Sequence, residues 1–158
     1  MEKPERQAHS VRVANLAAAL FHDCAKNLTA DSEYLKGFLV PTEWGEVPKT
    51  VWHQFAGAYV AEKHFDIQDE DVLNAIRYHT SARPNMSELE KLIFLADMLE
   101  EERNYKGVDI LRDLFWREDG LDACLERALY ETLLFLQEKQ AEIYPLTQNA
   151  YNFYKMKE

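Results

Sequence analysis

The sequence predicts an all-α protein, a single-domain helical bundle, and three observations support this. Every periodic segment repeats its apolar residues with helical spacing. Only five Gly and five Pro interrupt the 158 residues. A chain of this length is large enough for one buried core and small for two domains. We therefore assign residues 1–158 to one domain.

Helix signals divide the chain into segments. Asp69 is a predicted N-cap, because its carboxylate can accept hydrogen bonds from the first backbone N–H groups of a helix. Ser87 and Glu90 have the spacing of a capping box. Helices are expected over residues 7–16, 49–65, 69–80, 87–99, about 108–117 and 121–138, with one short helix within 28–39 and a last turn or two after Pro145.

Charge and cysteine content exclude several classes of protein. A formal net charge of -10 argues against binding to nucleic acid or an anionic membrane. Cys24 and Cys124 form no C-x-x-C pattern, so neither a disulfide framework nor a thiolate metal site is indicated. Residues 1–10 lack an apolar core, and no apolar stretch reaches the ~18 residues of a spanning helix. We expect a soluble, cytoplasmic protein.

An apolar run from Ala18 to Phe21 leads directly into His22 and Asp23. A carboxylate beside apolar residues is costly to desolvate unless it is neutralised, and a divalent cation can do this with the His as a second ligand. The alternative is an ordinary helix end, with both side chains hydrogen-bonded to backbone and Lys26 interacting with the helix dipole. The pair alone leaves both interpretations open.

Three further positions carry potential ligands. His79 lies on the inward arc of its helix, where a hydrogen-bonded core histidine is the more common case. Asp97 borders an apolar arc and needs either a salt bridge or a metal. His53 and His64 share a helix but lie ~16 Å apart along it, so only one can serve a given site. His64, among charged neighbours, is predicted to lie at the surface.

His9 poses a geometric problem. In one unbroken helix, the thirteen residues from His9 to His22 would separate the two by ~20 Å. No Gly or Pro between Val11 and Ala19 marks a turn that could bring them together. Either His9 and His22 do not share a site, or a segment of the chain is missing between them. We expect a gap in the backbone between about Asn15 and Ala19.

Together, four His and two Asp supply nitrogen and oxygen donors, enough for two ions of Fe, Mn, Zn or Mg that share a carboxylate. The motifs around them resemble those of the HD-domain phosphohydrolases: His9-Ser10-Val11-Arg12-Val13-Ala14, Leu20-Phe21-His22-Asp23-Cys24-Ala25-Lys26, Ile76-Arg77-Tyr78-His79-Thr80 and Phe94-Leu95-Ala96-Asp97. Within that superfamily, Arg83-Pro84-Asn85-Met86-Ser87 and residues 100–103 leading into Gly107-Val108-Asp109 resemble the YqeK family. The resemblance covers residues from about 7 to 151.

The resemblance implies a helical bundle of the HD type and a symmetrical bis(5'-nucleosyl)-tetraphosphatase, which splits diadenosine tetraphosphate into two ADP. It implies two divalent ions, usually iron, with Mn, Mg and Zn left open. One ion would be held by His9, His22, Asp23 and Asp97, and the other by His53, His79 and Asp23. The residues implied to contact substrate are Lys26, Thr80, Arg83 and Arg103, with catalytic roles for Asp23, Lys26 and Arg103.

Three features of the chain differ from the family pattern. Glu101 stands where a Pro is common, Ser81-Ala82 replaces a Thr-Gly, and the separation from His9 to His22 is too short. The first two affect substrate fit rather than the metals.

The expected chemistry is attack on phosphorus by a hydroxide held between the two ions, which also neutralise charge on the phosphoryl oxygens. A different HD-type activity, a nucleotidase or cyclic-nucleotide phosphodiesterase, is the alternative enzyme. A non-catalytic module that binds a nucleotide as a signal is the alternative of another class. The expected partners are a dinucleoside polyphosphate and its nucleoside diphosphate product, and a homodimer is left open.

Overall fold

The structure, a computed structural model, describes residues 4–118 and 120–155, with side chains described from residue 12 onward. Over these residues the chain forms seven α-helices and one short 3-10 helix, and no strand, so the all-α prediction is confirmed. The α-helices are α1 (Pro4–Phe21), α2 (Trp52–Phe65), α3 (Glu70–Arg77), α4 (Glu88–Leu99), α5 (Val108–Phe115), α6 (Gly120–Glu138) and α7 (Pro145–Lys155). None of the described helices is both long and apolar enough to cross a membrane.

Two apolar clusters organise the helices, and α4 contributes to both. The first cluster is formed by the four helices α1, α2, α3 and α4 and includes Ala18, Ala58, Val72, Leu73, Ile76 and Ile93. The second is formed by the four helices α4, α5, α6 and α7 and includes Phe94, Leu95, Leu111, Leu125, Leu129 and Ala150. Because Ile93 and Phe94 point to opposite clusters, α4 is fixed on two sides. In its last turn, which carries Asp97, the side chains of Met98 and Leu99 pack against the second cluster.

Both predicted N-terminal caps are confirmed. The Asp69 carboxylate accepts hydrogen bonds from the backbone N–H groups of Asp71 and Val72 at 2.9 and 3.2 Å. Ser87 and Glu90 form the capping box of α4. However, α3 ends at Arg77, three residues before the predicted end, so His79 lies in the turn that follows the helix.

The segment between α1 and α2 is less helical than predicted. Its only helical element is the 3-10 helix Glu33–Leu35. Gly37, with φ at +92°, follows it in a conformation that stops a helix. Leu35 and Ala25 are buried against Ala56 and Val60 of α2, so tertiary packing rather than helix formation orders this segment. The last helix, by contrast, is longer than the predicted turn or two.

The expected gap between about Asn15 and Ala19 is wrong. The helix α1 is continuous from Pro4 to Phe21, and the N–H of His22 still bonds to the carbonyl of Ala18 at 3.0 Å. The backbone positions of His9 and His22 are therefore ~20 Å apart along one helix. The side chain of His9 lies outside the described residues.

Candidate metal centre

Four short pieces of chain meet at one place on the bundle. They are the turn after α1 with His22 and Asp23, the first turn of α2 with His53, the turn after α3 with His79, and the last turn of α4 with Asp97. Gly57 lies where α2 passes the end of α1: a Cβ at that position would be in van der Waals contact, at 3.4 Å, with both the His22 carbonyl oxygen and the Ile76 side chain.

One group of donors consists of Asp23, His53 and His79. Oδ1 of Asp23 lies 3.3 Å from Nε2 of His53 and 3.5 Å from Nε2 of His79. The two Nε2 atoms are 3.1 Å apart. His79 is buried, as its inward position in the sequence predicted. These three residues have donor atoms close enough to hold one metal ion.

The second group consists of His22, Asp23 and Asp97. Nε2 of His22 lies 3.7 Å from Oδ2 of Asp23 and 3.9 Å from Oδ1 of Asp97. All donor atoms of this group also lie within 4.8 Å of one another. Asp23 belongs to both groups, which is the arrangement expected for a carboxylate shared by two ions.

The donor set fits divalent cations. Oδ1 of Asp23 is buried and has no hydrogen-bond partner among the described residues, although two imidazole nitrogens face it. A buried carboxylate oxygen without a partner is costly, and a cation would satisfy it. Nδ1 of His22 and of His79 must donate to the carbonyls of Ala19 and Ile76, at 2.7 and 2.8 Å, because a carbonyl can only accept. When these rings are neutral, each Nε2 lone pair is therefore available for a metal.

The electrostatics of the site favour the metal-binding forms of its side chains. The His79 ring, followed by Lys26, holds the pKa of Asp23 well below its usual range, although burial acts in the opposite direction. Asp23 is therefore ionised at neutral pH. Burial and then the neighbouring His79 lower the pKa of His53, so the neutral imidazole is favoured.

The thiol beside the site, Cys24, belongs to neither donor group. Its Sγ donates to the carbonyl oxygen of Gly57 at 3.6 Å. Burial raises the pKa of Cys24 to about 11. The donor atoms of the two groups found among the described residues are nitrogen and oxygen.

Three of the predicted substrate-binding residues border the two donor groups. Nζ of Lys26 lies 2.6 Å from Oδ2 of Asp23, and the side chain is half-exposed. The guanidinium of Arg103 donates to Oδ1 of Asp97 at 3.0 Å and is also half-exposed. Oγ1 of Thr80 lies 3.2 Å from Nε2 of His53. The site therefore combines its carboxylates with two cationic side chains at the rim.

Arg83 is held elsewhere. Its guanidinium makes two hydrogen bonds to the carboxylate of Glu90, at 2.6 and 2.8 Å, and Glu90 is almost fully buried. The ring of Tyr78 lies 5.1 Å below the guanidinium carbon. These contacts describe a structural ion pair, and they give no support to the phosphate contact expected for Arg83. The spacing of Ser87 and Glu90 predicts only the helix cap and gives no sign of the ion pair with Arg83.

The remaining histidines lie away from the donor groups. Nε2 of His64 is 2.8 Å from the carbonyl oxygen of Tyr34, and His64 is exposed, as predicted. The continuous helix α1 keeps the backbone of His9 far from His22. Of the two alternatives for His9, the structure favours the one in which it is unrelated to His22, and the other five expected ligands remain predictions.

One buried polar residue next to the site was missed. Gln54 follows His53 directly and is fully buried. The signal was available in the sequence, since a long amide side chain stands between His53 and the apolar residues from Phe55 to Ala58. A buried amide needs several partners, which makes its surroundings informative.

Comparisons with known proteins show the family to which the chain is related. A family profile described as the HD domain matches residues 6–102. A symmetrical bis(5'-nucleosyl)-tetraphosphatase of Bacillus subtilis is 37% identical over 157 residues, covering 97% of this chain and 82% of the relative. A protein of the same name from Halalkalibacterium halodurans is 39% identical over 137 residues, covering 85% and 72%.

The fold has a solved counterpart as well. The crystal structure of a predicted HD superfamily hydrolase involved in NAD metabolism, from Clostridium acetobutylicum, superposes with a TM-score of 0.75 at 36% identity. The superposition covers 89% of this chain and 75% of the Clostridium acetobutylicum chain. Because similarity extends through the segments that carry His22, Asp23, His79 and Asp97, the chain belongs to the HD-domain family, in the group of the symmetrical bis(5'-nucleosyl)-tetraphosphatases.

Proposed function

We propose that this chain, acting as a single domain, is a metal-dependent hydrolase that splits diadenosine tetraphosphate into two ADP. The reaction adds water across the central phosphoanhydride, so that each product keeps one nucleoside and two phosphates. The names of the relatives support the activity. The donor groups of the site support the dependence on metal.

The observation that carries the proposal is the position of Asp23 in both donor groups. A single carboxylate faces two imidazole nitrogens on one side and a third imidazole on the other. Two ions bound on either side of it would activate water and withdraw charge from phosphoryl oxygens. We propose His53, His79 and Asp23 as ligands of one ion and His22, Asp97 and Asp23 as ligands of the other. Iron is the metal that the family resemblance suggests.

The residues of the chain prepare this site in advance. Backbone carbonyls orient the rings of His22 and His79, so their Nε2 atoms face the carboxylates without further rearrangement. Because these rings are already in position, they need not rearrange when charge develops in the transition state. The low pKa of Asp23 keeps its charge available over the neutral range.

Lys26 and Arg103 are the proposed phosphate-binding residues. Each is half-exposed and close to a ligand carboxylate, so each can reach a phosphate placed over the centre. With a formal net charge of -10, the chain as a whole repels a tetraphosphate. Local cations are therefore needed to bind the substrate and to neutralise the departing ADP. Thr80, beside His53, is proposed to contact the same phosphates.

The test is metal analysis of protein purified without chelator, followed by product identification on a panel of nucleotides. We expect two equivalents of metal and ADP as the sole nucleotide product from diadenosine tetraphosphate. Asp23→Asn should lose both ions, since both groups share this residue. AMP and ATP as products, or preferred cleavage of a cyclic nucleotide, would replace the proposed activity by another HD-type reaction. Binding without turnover would favour a signalling module.

We also propose a cellular compartment and an oligomeric state. We expect the enzyme to act in the cytoplasm, where its thiols stay reduced. A homodimer is also proposed, and the exposed apolar side chains of Val13, Leu16 and Leu20 on α1 are the surface that supports it. Sedimentation of the protein and of a Leu16→Glu variant would show whether this face joins two chains.

A further inference from the structure

We infer that Gln54 is a positioning residue for the metal centre. Its buried amide fastens the turn that carries His79 to the helix that carries His53, and so sets the separation of these two imidazoles. The inference rests on the proposed metal centre and concerns how the chain holds two of its ligands in place.

The contacts of Gln54 use both ends of its amide. Oε1 accepts hydrogen bonds from the backbone N–H groups of Thr80 and Ser81, each at 3.0 Å. Nε2 donates to the hydroxyl of Ser81 at 2.8 Å. Gln54 and Ser81 are both fully buried, so water does not compete for these bonds. The turn is thus attached to α2 at three points.

The position of these bonds relates them to the metal ligands. Gln54 directly follows His53, and Thr80 directly follows His79. Any movement of the turn relative to α2 therefore changes the distance between the two Nε2 atoms, which is 3.1 Å. The ring of His79 is additionally fixed by the carbonyl of Ile76, but that bond lies within the chain segment of α3 and does not tie it to α2.

The turn also needs external restraint, because its backbone is unfavourable. Ala82 is buried and has φ at +56°, in the left-handed region that residues with a Cβ rarely adopt. Such a conformation persists only where the surroundings impose it. The Gln54 bonds act on the two residues just before Ala82, and the hydroxyl of Ser81 donates to the Ala82 carbonyl at 3.0 Å. Gln54 is thus the anchor of a turn that would otherwise relax.

The test compares Gln54→Met with Tyr154→Phe. Methionine has nearly the length of glutamine but cannot accept the two N–H groups. Tyr154→Phe is the matched control, because the Tyr154 hydroxyl accepts the buried N–H of Met86 at 2.8 Å, on a different part of the bundle. Both variants thus remove an acceptor from buried backbone. Only the first acts on the turn that carries His79.

The readout is calorimetric titration of chelator-treated, monodisperse protein with Mn²⁺ alone, independent of turnover. The parent should bind two ions. We expect Gln54→Met to lower the Mn²⁺ affinity of one of the two sites at least tenfold and that of the other less. Losses of this size are usual when a residue that orients a metal ligand is replaced. Tyr154→Phe should keep both affinities within about twofold at a lower melting temperature. Gln54→Glu, which retains an acceptor for both N–H groups, should recover most of the lost affinity.

Several results would overturn the inference. Unchanged Mn²⁺ affinities in folded Gln54→Met would show that Gln54 has no positioning role, while the metal centre stands. Equal weakening by Tyr154→Phe would show a general effect of stability. If Gln54→Met does not fold, Ser81→Ala decides: it removes one of the three bonds and should weaken the same single site severalfold, and unchanged binding refutes the role. A parent that binds no Mn²⁺ would reject the metal centre and this inference together.

Discussion

The two oxygens of the Asp23 carboxylate have different surroundings. Oδ2 is 2.6 Å from the ammonium group of Lys26, whereas Oδ1 is buried between two imidazoles without a hydrogen bond. A lysine satisfies one side only, and the other side is left for a cation. This asymmetry within one side chain is the strongest local argument for metal binding, because an ordinary surface ion pair would not bury an unpaired oxygen.

Asp97 separates metal binding from ion pairing. In the structure it lies near both His22 and Arg103. Because the Asp97–Arg103 pair is partly exposed, losing it should cost only about 0–1 kcal/mol of stability. We expect folded Asp97→Asn protein to lose one ion and to hydrolyse diadenosine tetraphosphate more than ~100-fold more slowly. This exceeds the loss that usually follows when a residue that only hydrogen-bonds to a metal ligand is replaced. Metal stoichiometry and ADP release measure this.

The control is Asp122→Asn, which removes the charge of an exposed aspartate paired with Lys91 outside the site. It should leave metal content and turnover unchanged. Full metal occupancy and undiminished turnover in Asp97→Asn would end the assignment of Asp97 as a ligand.

The two histidines of α2 form a matched pair. His53 faces Asp23, whereas His64 bonds to the carbonyl of Tyr34 at the surface. We expect His53→Ala to lose one ion and nearly all activity, and His64→Ala to keep both, since only His53 lies within reach of the donor groups. The measurement is metal content and ADP release for both variants. Collapse of activity in folded His64→Ala would mean that the wrong histidine was chosen.

At the scale of elements, the pair of Arg83 and Glu90 fixes the start of α4. Glu90 accepts two hydrogen bonds from Arg83 and one from the backbone N–H of Ser87 at 2.7 Å. Glu90→Gln keeps the shape but removes the charge, and should lower the free energy of unfolding by about 2–3 kcal/mol, since Arg83 can partly rehydrate. Denaturant unfolding provides the value. Ser87→Ala, which removes only the cap, should cost about 1 kcal/mol.

The same ion pair makes a prediction for substrate binding. If Arg83 only holds the fold together, Arg83→Met should lower the free energy of unfolding. The folded variant should keep its KM within about threefold, because Arg83 would make no contact with the substrate. Lys26→Met should raise KM or lower kcat by far more. A large rise in KM for folded, stable Arg83→Met would restore the phosphate role expected from the sequence.

At the scale of the molecule, the proposed metal centre joins the ends of three helices and the start of a fourth, so metal binding should stabilise the whole fold. At a concentration 100-fold above Kd, each bound ion adds about 2.7 kcal/mol, which for a domain of this size raises Tm by about 5–10 °C per ion. We expect chelation to lower Tm by this amount for each ion removed and Mn²⁺ to restore it. Asp23→Asn should show no response to Mn²⁺. Calorimetry of the parent with an unchanged Tm would contradict the proposed centre.

Much of the local structure could be predicted from the sequence. The caps at Asp69 and Ser87 depend on neighbouring residues only, and both are found. His79 is buried, as predicted, although it lies in the turn after α3 and not on the helix from which its inward side was inferred. Predictions failed where tertiary packing overrides local preference. The segment after Leu28 is ordered by burial on α2 instead of by forming the expected helix, and α1 continues through residues where a gap was expected.

Residue identity and short spacing are enough to predict nitrogen and oxygen donors, a cationic rim and the motifs of the family. Which of these residues meet could be seen only in the folded chain. It placed Asp23 between two donor groups, left His9 on a distant part of α1, paired Arg83 with Glu90, and tied Gln54 to the turn after His79. The reason is that contacts between residues far apart in the chain depend on how the helices pack, and helical periodicity fixes the buried side of each helix without fixing its partner.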